Sequence, residues 1–483
     1  MMKHCFVKTV SIIALLMIVL VLAACPAPTE TDRPEEGGTE KPTGPVKEPG
    51  GPAENPGSDK PGEGEEEPED GDAEKPAGPV EEPGSDKPGE GEEEPAENPG
   101  GNKPGPDTGF VLDETGVPIF SSAAALKTYL AGQPENTATD FYKVKLRGLD
   151  LSASEGEALK AVYSALSRYT ALDFSECSGS VIYANSVEAA KKKLVLAMIL
   201  PGTIQEIKSS AFLNFNSLVR LSAPGLTTLH YGAFKQCKAL TELIMPKLRE
   251  ITDGTESTNG AFSGCPLLDA PDMPELYKLG AYAFYNCTGL KTLDLPKLEI
   301  LGNFALKNCT ALKELSLPRL REAGNSAFYG CESLESVNLP QLSSLGESGF
   351  WKCTALQELK LPRLTSAGDS AFYGCTSLSS LNLPEVESLG ISCFKGCKQL
   401  VSAILPKIKT IGNGAFNSDP ALVSITLGTE PPDLGTEVFA GGTALKAIYV
   451  PGDAMESYRN LNAKNWTQSL IKKLEAIPQE GAD

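Results

Sequence analysis

Cysteine is the residue type in this chain with the most chemistry to offer. There are 12 cysteines in 483 residues, and eight of them fall at one repeat position: Cys237, Cys265, Cys287, Cys309, Cys331, Cys353, Cys375 and Cys397. Thiols act as nucleophiles, ligate metals or pair as disulfides, and each use sets its own spacing requirement. Tetrahedral zinc sites draw on C-x-x-C pairs or histidine partners, and this chain has no C-x-x-C pair and only His4 and His230. A nucleophile needs a base beside it; His230 has no neighbouring motif and stands where most turns carry Gly. No catalytic residue, metal site or cofactor is therefore expected. Disulfides fail on geometry. Identical positions on stacked turns project in parallel, so their Cβ atoms stay near the strand spacing of about 4.8 Å, whereas a bridge prefers about 3.8 Å. The series predicts a column of buried, reduced thiols. Cys393 forms a C-x-x-x-C with Cys397, but it occupies a position given elsewhere to Ala283, Ala305, Ala327, Gly349 and Ala371, and reads as a small packing residue.

Two rows of side chains offer contact chemistry instead. Tyr285, Tyr329, Trp351 and Tyr373 fall in register, with Lys307 in the gap. Aromatic side chains on a rigid surface anchor proteins or sugars, and the same rings can equally pack on one another and shield an edge. Lys247, Lys297, Arg319, Arg363 and Lys407 form a basic row, joined two residues further on by Arg249, Arg321 and Lys409. Such a row either attracts an acidic partner or only solvates the surface. Thr292, Asp294, Glu314, Ser316, Ser336, Asn338, Glu358, Lys360, Ser380 and Asn382 make a third, polar set, a flat face on which a protein ligand can lie.

These rows exist because the chain repeats itself. The anchors Phe212, Phe234, Phe262, Phe284, Leu306, Phe328, Phe350, Phe372, Phe394, Phe416 and Phe439 are 22 residues apart except for one gap of 28 and one of 23. Eleven copies of one unit follow. In a representative turn Leu293 and Leu295 alternate with Thr292 and Asp294, the period of a half-buried strand, and Pro296 ends it. Gly280, Gly302, Gly324, Gly346, Gly368, Gly390 and Gly412 recur at one position, expected to be a positive-φ turn. One turn of 22 residues cannot bury its own Phe and Leu, so the turns must stack into a solenoid of parallel strands roughly 50 Å long. The excess of six residues between Phe234 and Phe262 fits Asp253 to Gly260, expected to bulge as a loop.

An open solenoid end exposes core and strand edge, so both flanks are expected to cap it. On the N-terminal side, Ser154 to Tyr169 has helical spacing, with Ser154 at the N-cap and Glu157 three residues on. On the C-terminal side Tyr458, Leu461, Trp466, Leu470, Ile471 and Leu474 can fold over the last turn, Trp466 as a core plug. Charge is distributed very differently. Residues 26 to 107 carry a net −18 of the chain's −20, with 18 Pro, 16 Gly and no aromatic residue. That segment cannot form a core and is expected to be disordered. PGSDKPGEGEEEP occurs twice within it, at 56–68 and 83–95. It acts as a standoff, longer than the roughly 50 Å of a flexible coil and short of a polyproline limit of about 250 Å. The body beyond it is nearly neutral, so nothing favours nucleic acid as a partner.

Two resemblances follow from these residues. Lys3, His4 and Lys8 precede an apolar run too short to span a membrane, which ends Leu22-Ala23-Ala24-Cys25. That ending resembles the bacterial lipoprotein lipobox, which implies acylation of Cys25 and a lipid anchor in a membrane. The unit C-x-x-L-x-x-L-x-L-P-x-L-x-x-L-G-x-x-A-F resembles the BspA-like, or treponemal-type, leucine-rich repeat. The resemblance implies a β-rich, right-handed solenoid on a bacterial surface, with adhesins for host proteins or other bacteria among its members and no catalytic residues to transfer. Leu306, Asp419 and Gly428 depart from the pattern. The domain order is then a signal peptide (1–24), Cys25 with the tether (25–107), an N-terminal capping region (108–211), the solenoid (212–450) and a C-terminal cap (451–483). The expected function is a lipid-anchored binding protein in the cell envelope, recognising an extracellular protein or glycan. The alternative is an envelope spacer or antigenic coat that binds nothing.

Overall fold

The computed structural model describes residues 110–184, 186–254, 259–459 and 468–474. The leader with Cys25, the tether, the middle of the 253–260 insertion, and Leu461 and Trp466 lie outside the described residues.

Two short segments of each turn pair with the next. In the central turns the first is a three-residue strand, as in Glu314–Ser316, Ser336–Asn338 and Glu358–Lys360, with Leu315 opposite Val337 and Val337 opposite Leu359 in parallel register. Alternation buries Leu315 and Val337 and turns the flanking polar residues outward. The second is the pair of residues before the repeated glycine, as in Glu322–Ala323, Ser344–Leu345 and Ser366–Ala367, also parallel. This second ladder runs through twelve strands from Val181–Ile182 to Asp433–Leu434, while the first is divided among sheets of seven, three and five strands.

The expected strand at Leu293 and Leu295 is absent. Both side chains are buried and Thr292 and Asp294 are exposed, yet residues 291–295 form no strand. The cause is one turn earlier. Ile244 bridges to Asp272, which puts Pro271 opposite Leu243 and in register with Leu293. Proline has no N–H to donate, so the ladder is interrupted there.

The core is a column of stacked rings. Ring centroids are 4.5 Å apart for Phe328 and Phe350, 5.4 Å for Phe350 and Phe372, and 4.8 Å for Phe372 and Phe394, with planes within 9° of parallel. The ring spacing follows the strand spacing because identical side chains on stacked turns adopt the same rotamer.

The glycine column is required for a different reason than expected. Gly302, Gly324, Gly346, Gly368, Gly390 and Gly412 do not have positive φ. A Cβ at Gly302 would lie 2.5 Å from the backbone N of Ala281, and one at Gly390 2.5 Å from the N of Asp369. The column is therefore a site of backbone contact between turns. The left-handed residues stand two positions later, at Ser326, Ser348, Ser370 and Ser392, with φ of 52°, 53°, 55° and 54°.

Parallel order extends N-terminal to residue 212. Pro118–Phe120, Tyr142–Asp150, Thr170–Ser178 and Val195–Ile199 lead in parallel to Arg220–Ser222, with Val111–Leu112 antiparallel at the outer edge. The helix expected from Ser154 starts later, at Glu157–Ala165. Ser154, Glu155 and Gly156 all have positive φ, so the Ser154 hydroxyl is carried away from the helix start and Gly156 is the cap. At the other end Ile471–Lys473 adds in parallel to Ala447–Val450. The buried Tyr458 places its hydroxyl 3.1 and 3.0 Å from the carbonyl oxygens of Gly428 and Glu430.

Candidate binding surface

The cysteine column lies inside the solenoid. All ten cysteines among the described residues are free and buried. Each repeat thiol donates to the carbonyl oxygen of the anchor residue 25 or 31 positions back, as in Cys331 to Leu306 at 3.2 Å, Cys353 to Phe328 at 3.2 Å and Cys375 to Phe350 at 3.2 Å. The thiol thus satisfies a buried acceptor that the solenoid creates once per turn. Burial pushes Cys287, Cys331 and Cys375 up to about 12, so they stay protonated and unreactive at physiological pH.

Asp419 takes the cysteine position in its turn and is fully buried. Its Oδ1 accepts the backbone N–H of Cys397 at 2.7 Å, while Oδ2 is buried without a partner. Burial outweighs the hydrogen bonds from Cys397 and Gly396 and raises its pKa to about 8. At neutral pH the side chain is a neutral acid, the only protonation state with a hydrogen to donate as the thiols do.

The aromatic row is a ladder packed on itself. Trp351 lies between Tyr329, at 5.8 Å between centroids, and Tyr373, at 4.6 Å. Lys307 continues the ladder rather than breaking it, because its ammonium sits 4.2 Å from the Tyr329 ring centre and 5.3 Å from that of Phe304. Tyr285 stands apart, edge-on to Tyr282. With both faces of Trp351 covered and its Nε1 buried without a partner, the indole offers an edge rather than a platform.

The basic row is an alternating one. Lys297 pairs with Glu275 at 2.6 Å, Lys407 with Glu385 at 2.7 Å and Lys409 with Glu387 at 2.7 Å. Glu275, Gln341 and Glu385 occupy the same repeat position as Lys297, Arg319, Arg363 and Lys407, which the 22-residue spacing reveals once every member of the column is read. Arg319, Arg321 and Arg363 have no carboxylate within 4.0 Å, and Arg363 donates from Nη1 to the neutral Gln341 Oε1 at 2.6 Å. Among the described residues Lys247 and Arg249 likewise have no carboxylate within 4.0 Å, so the unpaired members of the row lie in its first turn and in the central turns.

Two hollows occur in the same stretch. One, of about 390 Å³, lies on the polar strand face and is lined by Asp294, Glu314, Ser316, Ser336, Asn338, Glu358 and Lys360 among others. The other, of about 810 Å³, lies around the second ladder between Arg321 and Arg363. Both are open depressions on a repeat array whose interior is filled with leucine, phenylalanine and cysteine. The molecule is thus a solenoid with a filled interior, which leaves its surface as the place for any ligand, as in stacked-repeat proteins in general.

Residues 189–275, 255–376 and 365–466 match the BspA-type leucine-rich repeat region in six copies, more than half of the chain. The chain belongs to that family. Among solved structures, a leucine-rich repeat protein from Bacteroides ovatus is 25% identical, with 63% of this chain and 92% of that one covered and a TM-score of 0.41. A leucine-rich repeat protein of T. pallidum is 28% identical over 32% of this chain and 85% of its own, with a TM-score of 0.27. A leucine-rich cell surface protein from Faecalibacterium prausnitzii is 19% identical over 71% and 93%, with a TM-score of 0.29. A comparison with curated proteins returns no match.

Proposed function

We propose that this chain is a lipid-anchored adhesin, held to the bacterial envelope through Cys25 and displaying its solenoid outside the cell, where the central turns hold an extracellular ligand. The observation that supports this reading is the coincidence, within residues 294–385, of two surface hollows and three guanidinium groups without a carboxylate partner, in a row whose Lys297, Lys407 and Lys409 are ion-paired. A spacer has no need of local charge imbalance, because any solvated polar surface serves it equally well. The acidic, proline-rich tether suits the same role by carrying the solenoid clear of the membrane. The aromatic row of Tyr285, Tyr329, Trp351 and Tyr373 lines neither hollow and is left out of this surface.

The test is a binding screen of the mature chain against extracellular-matrix proteins, serum proteins and glycans. A saturable ligand supports the adhesin. Uniformly blank results from folded protein support the spacer.

A further inference from the structure

We propose that the hollow between Arg321 and Arg363 recognises the acidic groups of an anionic polysaccharide. This inference rests on the reading of the chain as a binding protein and names the ligand class for one part of its surface.

Charge carries the first step. Across the repeat column, Lys297 and Lys407 are neutralised by Glu275 and Glu385 in the turn before each. At Arg363 the corresponding residue is Gln341, whose amide oxygen accepts from Nη1 at 2.6 Å. The guanidinium is thereby fixed in direction without losing its charge, the preorganisation that anion recognition by arginine requires. Arg321 faces the same hollow, two turns earlier and without an acidic partner. The one carboxylate in the lining, that of Glu385, is engaged by Lys407 at 2.7 Å.

The remaining lining decides between ligand classes. Peptides bound in grooves take most of their affinity from apolar anchors seated in pockets, and here Pro362 is the one apolar residue. The aromatic ladder has its ring faces stacked on one another and contributes no residue to the hollow. What the hollow presents is hydroxyls and an amide. Ser343 Oγ donates to the Arg321 carbonyl at 3.2 Å and Thr365 Oγ1 to the Ser343 carbonyl at 2.9 Å, which leaves both hydroxyl oxygens as acceptors. The Gln341 amide N–H groups are donors. Cations for sulfate or uronate groups, with acceptors and donors for sugar hydroxyls beside them, match an acidic polysaccharide in an open, wet site. The body beyond the acidic segment is nearly neutral overall, so polyanion binding here rests on local charge and not on net charge.

The experiment measures binding of the full mature chain to heparin, hyaluronan, neutral dextran and poly-glutamate by fluorescence anisotropy at about 0.05 M and about 0.3 M salt. The expected result is binding to heparin or hyaluronan and not to dextran or poly-glutamate, weakened at the higher salt. Arg321→Gln with Arg363→Gln is expected to lower affinity by about tenfold or more, and Gln341→Glu to do the same by neutralising Arg363. Lys297→Gln, whose partner Glu275 lies outside the hollow, is expected to leave affinity within about twofold, and all variants are to show unchanged melting. Undiminished polysaccharide binding in the Arg321 and Arg363 variants overturns the site. Preference for poly-glutamate overturns the ligand class. If no polyanion binds while a matrix protein does, this inference fails and the adhesin reading stands; if nothing of any class binds, both fail.

Discussion

Replacing Asp419 by Asn separates the shape of the buried carboxyl from its charge. The side chain is fully buried, Cys397 faces it from the preceding turn, and Gly442 lies beside it in the following one without a side chain. A carboxyl held at about 8 instead of 3.8 favours its neutral form in the fold by about 6 kcal/mol, at 1.36 kcal/mol per pH unit. Because the fold holds this proton more tightly than the unfolded chain does, the stability it contributes is complete below pH 3.8, declines as pH rises toward about 8, and is constant beyond. Asp419→Asn keeps the acceptor for the Cys397 N–H and does not titrate. Urea unfolding of both proteins at about pH 5 and pH 9 is expected to show the gap between them widening by about 4 kcal/mol in favour of the variant at the higher pH. Other titrating groups are common to both proteins and cancel. Hydrogen exchange is expected to locate the alkaline loosening in the turns after Phe394, since a repeat array opens locally. Parallel pH dependence in the two proteins would refute the claim that Asp419 is carried as a neutral acid.

Four further outcomes follow from the same structure. The ten buried cysteines are expected to react slowly with a thiol reagent in the fold and fully in denaturant, and reductant to leave the melting temperature unchanged; a large loss under reductant would mean disulfides. Gly302→Ala forces a Cβ to within 2.5 Å of the Ala281 N and is expected to cost about 1–3 kcal/mol or more by urea unfolding; a neutral effect would return the column to ordinary turn glycines. Phe350→Ala, which removes a ring stacked on Phe328 and Phe372, is expected to cost about 3–5 kcal/mol, with a cost under 1 kcal/mol as the contrary outcome. Cys25→Ala is expected to move the protein from the membrane to the soluble fraction, and an unmodified Cys25 by mass spectrometry of the mature N-terminus would contradict the anchor.

Register was legible because it is written in large side chains. The anchors, mostly 22 residues apart, located the turns from residue 212 onward but not the earlier ones that carry Val181–Ile182 and Glu206–Ile207 of the second ladder, and the thiol column followed from strand geometry alone. The second ladder was not, since pairs such as Ser344–Leu345 are too short to show alternation. Glycine has two uses that look identical in a sequence, so the Gly302 column was placed correctly and explained wrongly: the close approach of one backbone to the next, rather than a left-handed turn, requires it. Pro271 broke the first ladder through a neighbouring turn, an effect outside any single repeat. The alternation of Lys297 and Lys407 with Glu275, Gln341 and Glu385 was present in the spacing. It needed the whole column, acids included, and the structure then left Arg319, Arg321 and Arg363 as the members of the basic row in the central turns that have no carboxylate partner.

Binding by the central turns is the claim on which the account depends most. It is tested by equilibrium binding of the mature chain and of a surface variant, Glu314→Ser, Arg321→Gln, Glu358→Ser and Arg363→Gln together, to the same set of matrix proteins, serum proteins and polysaccharides. The account predicts a ligand held by the natural sequence and weakened about tenfold or more in the variant, at unchanged melting temperature. A ligand held equally by both, or no ligand for either, would contradict it.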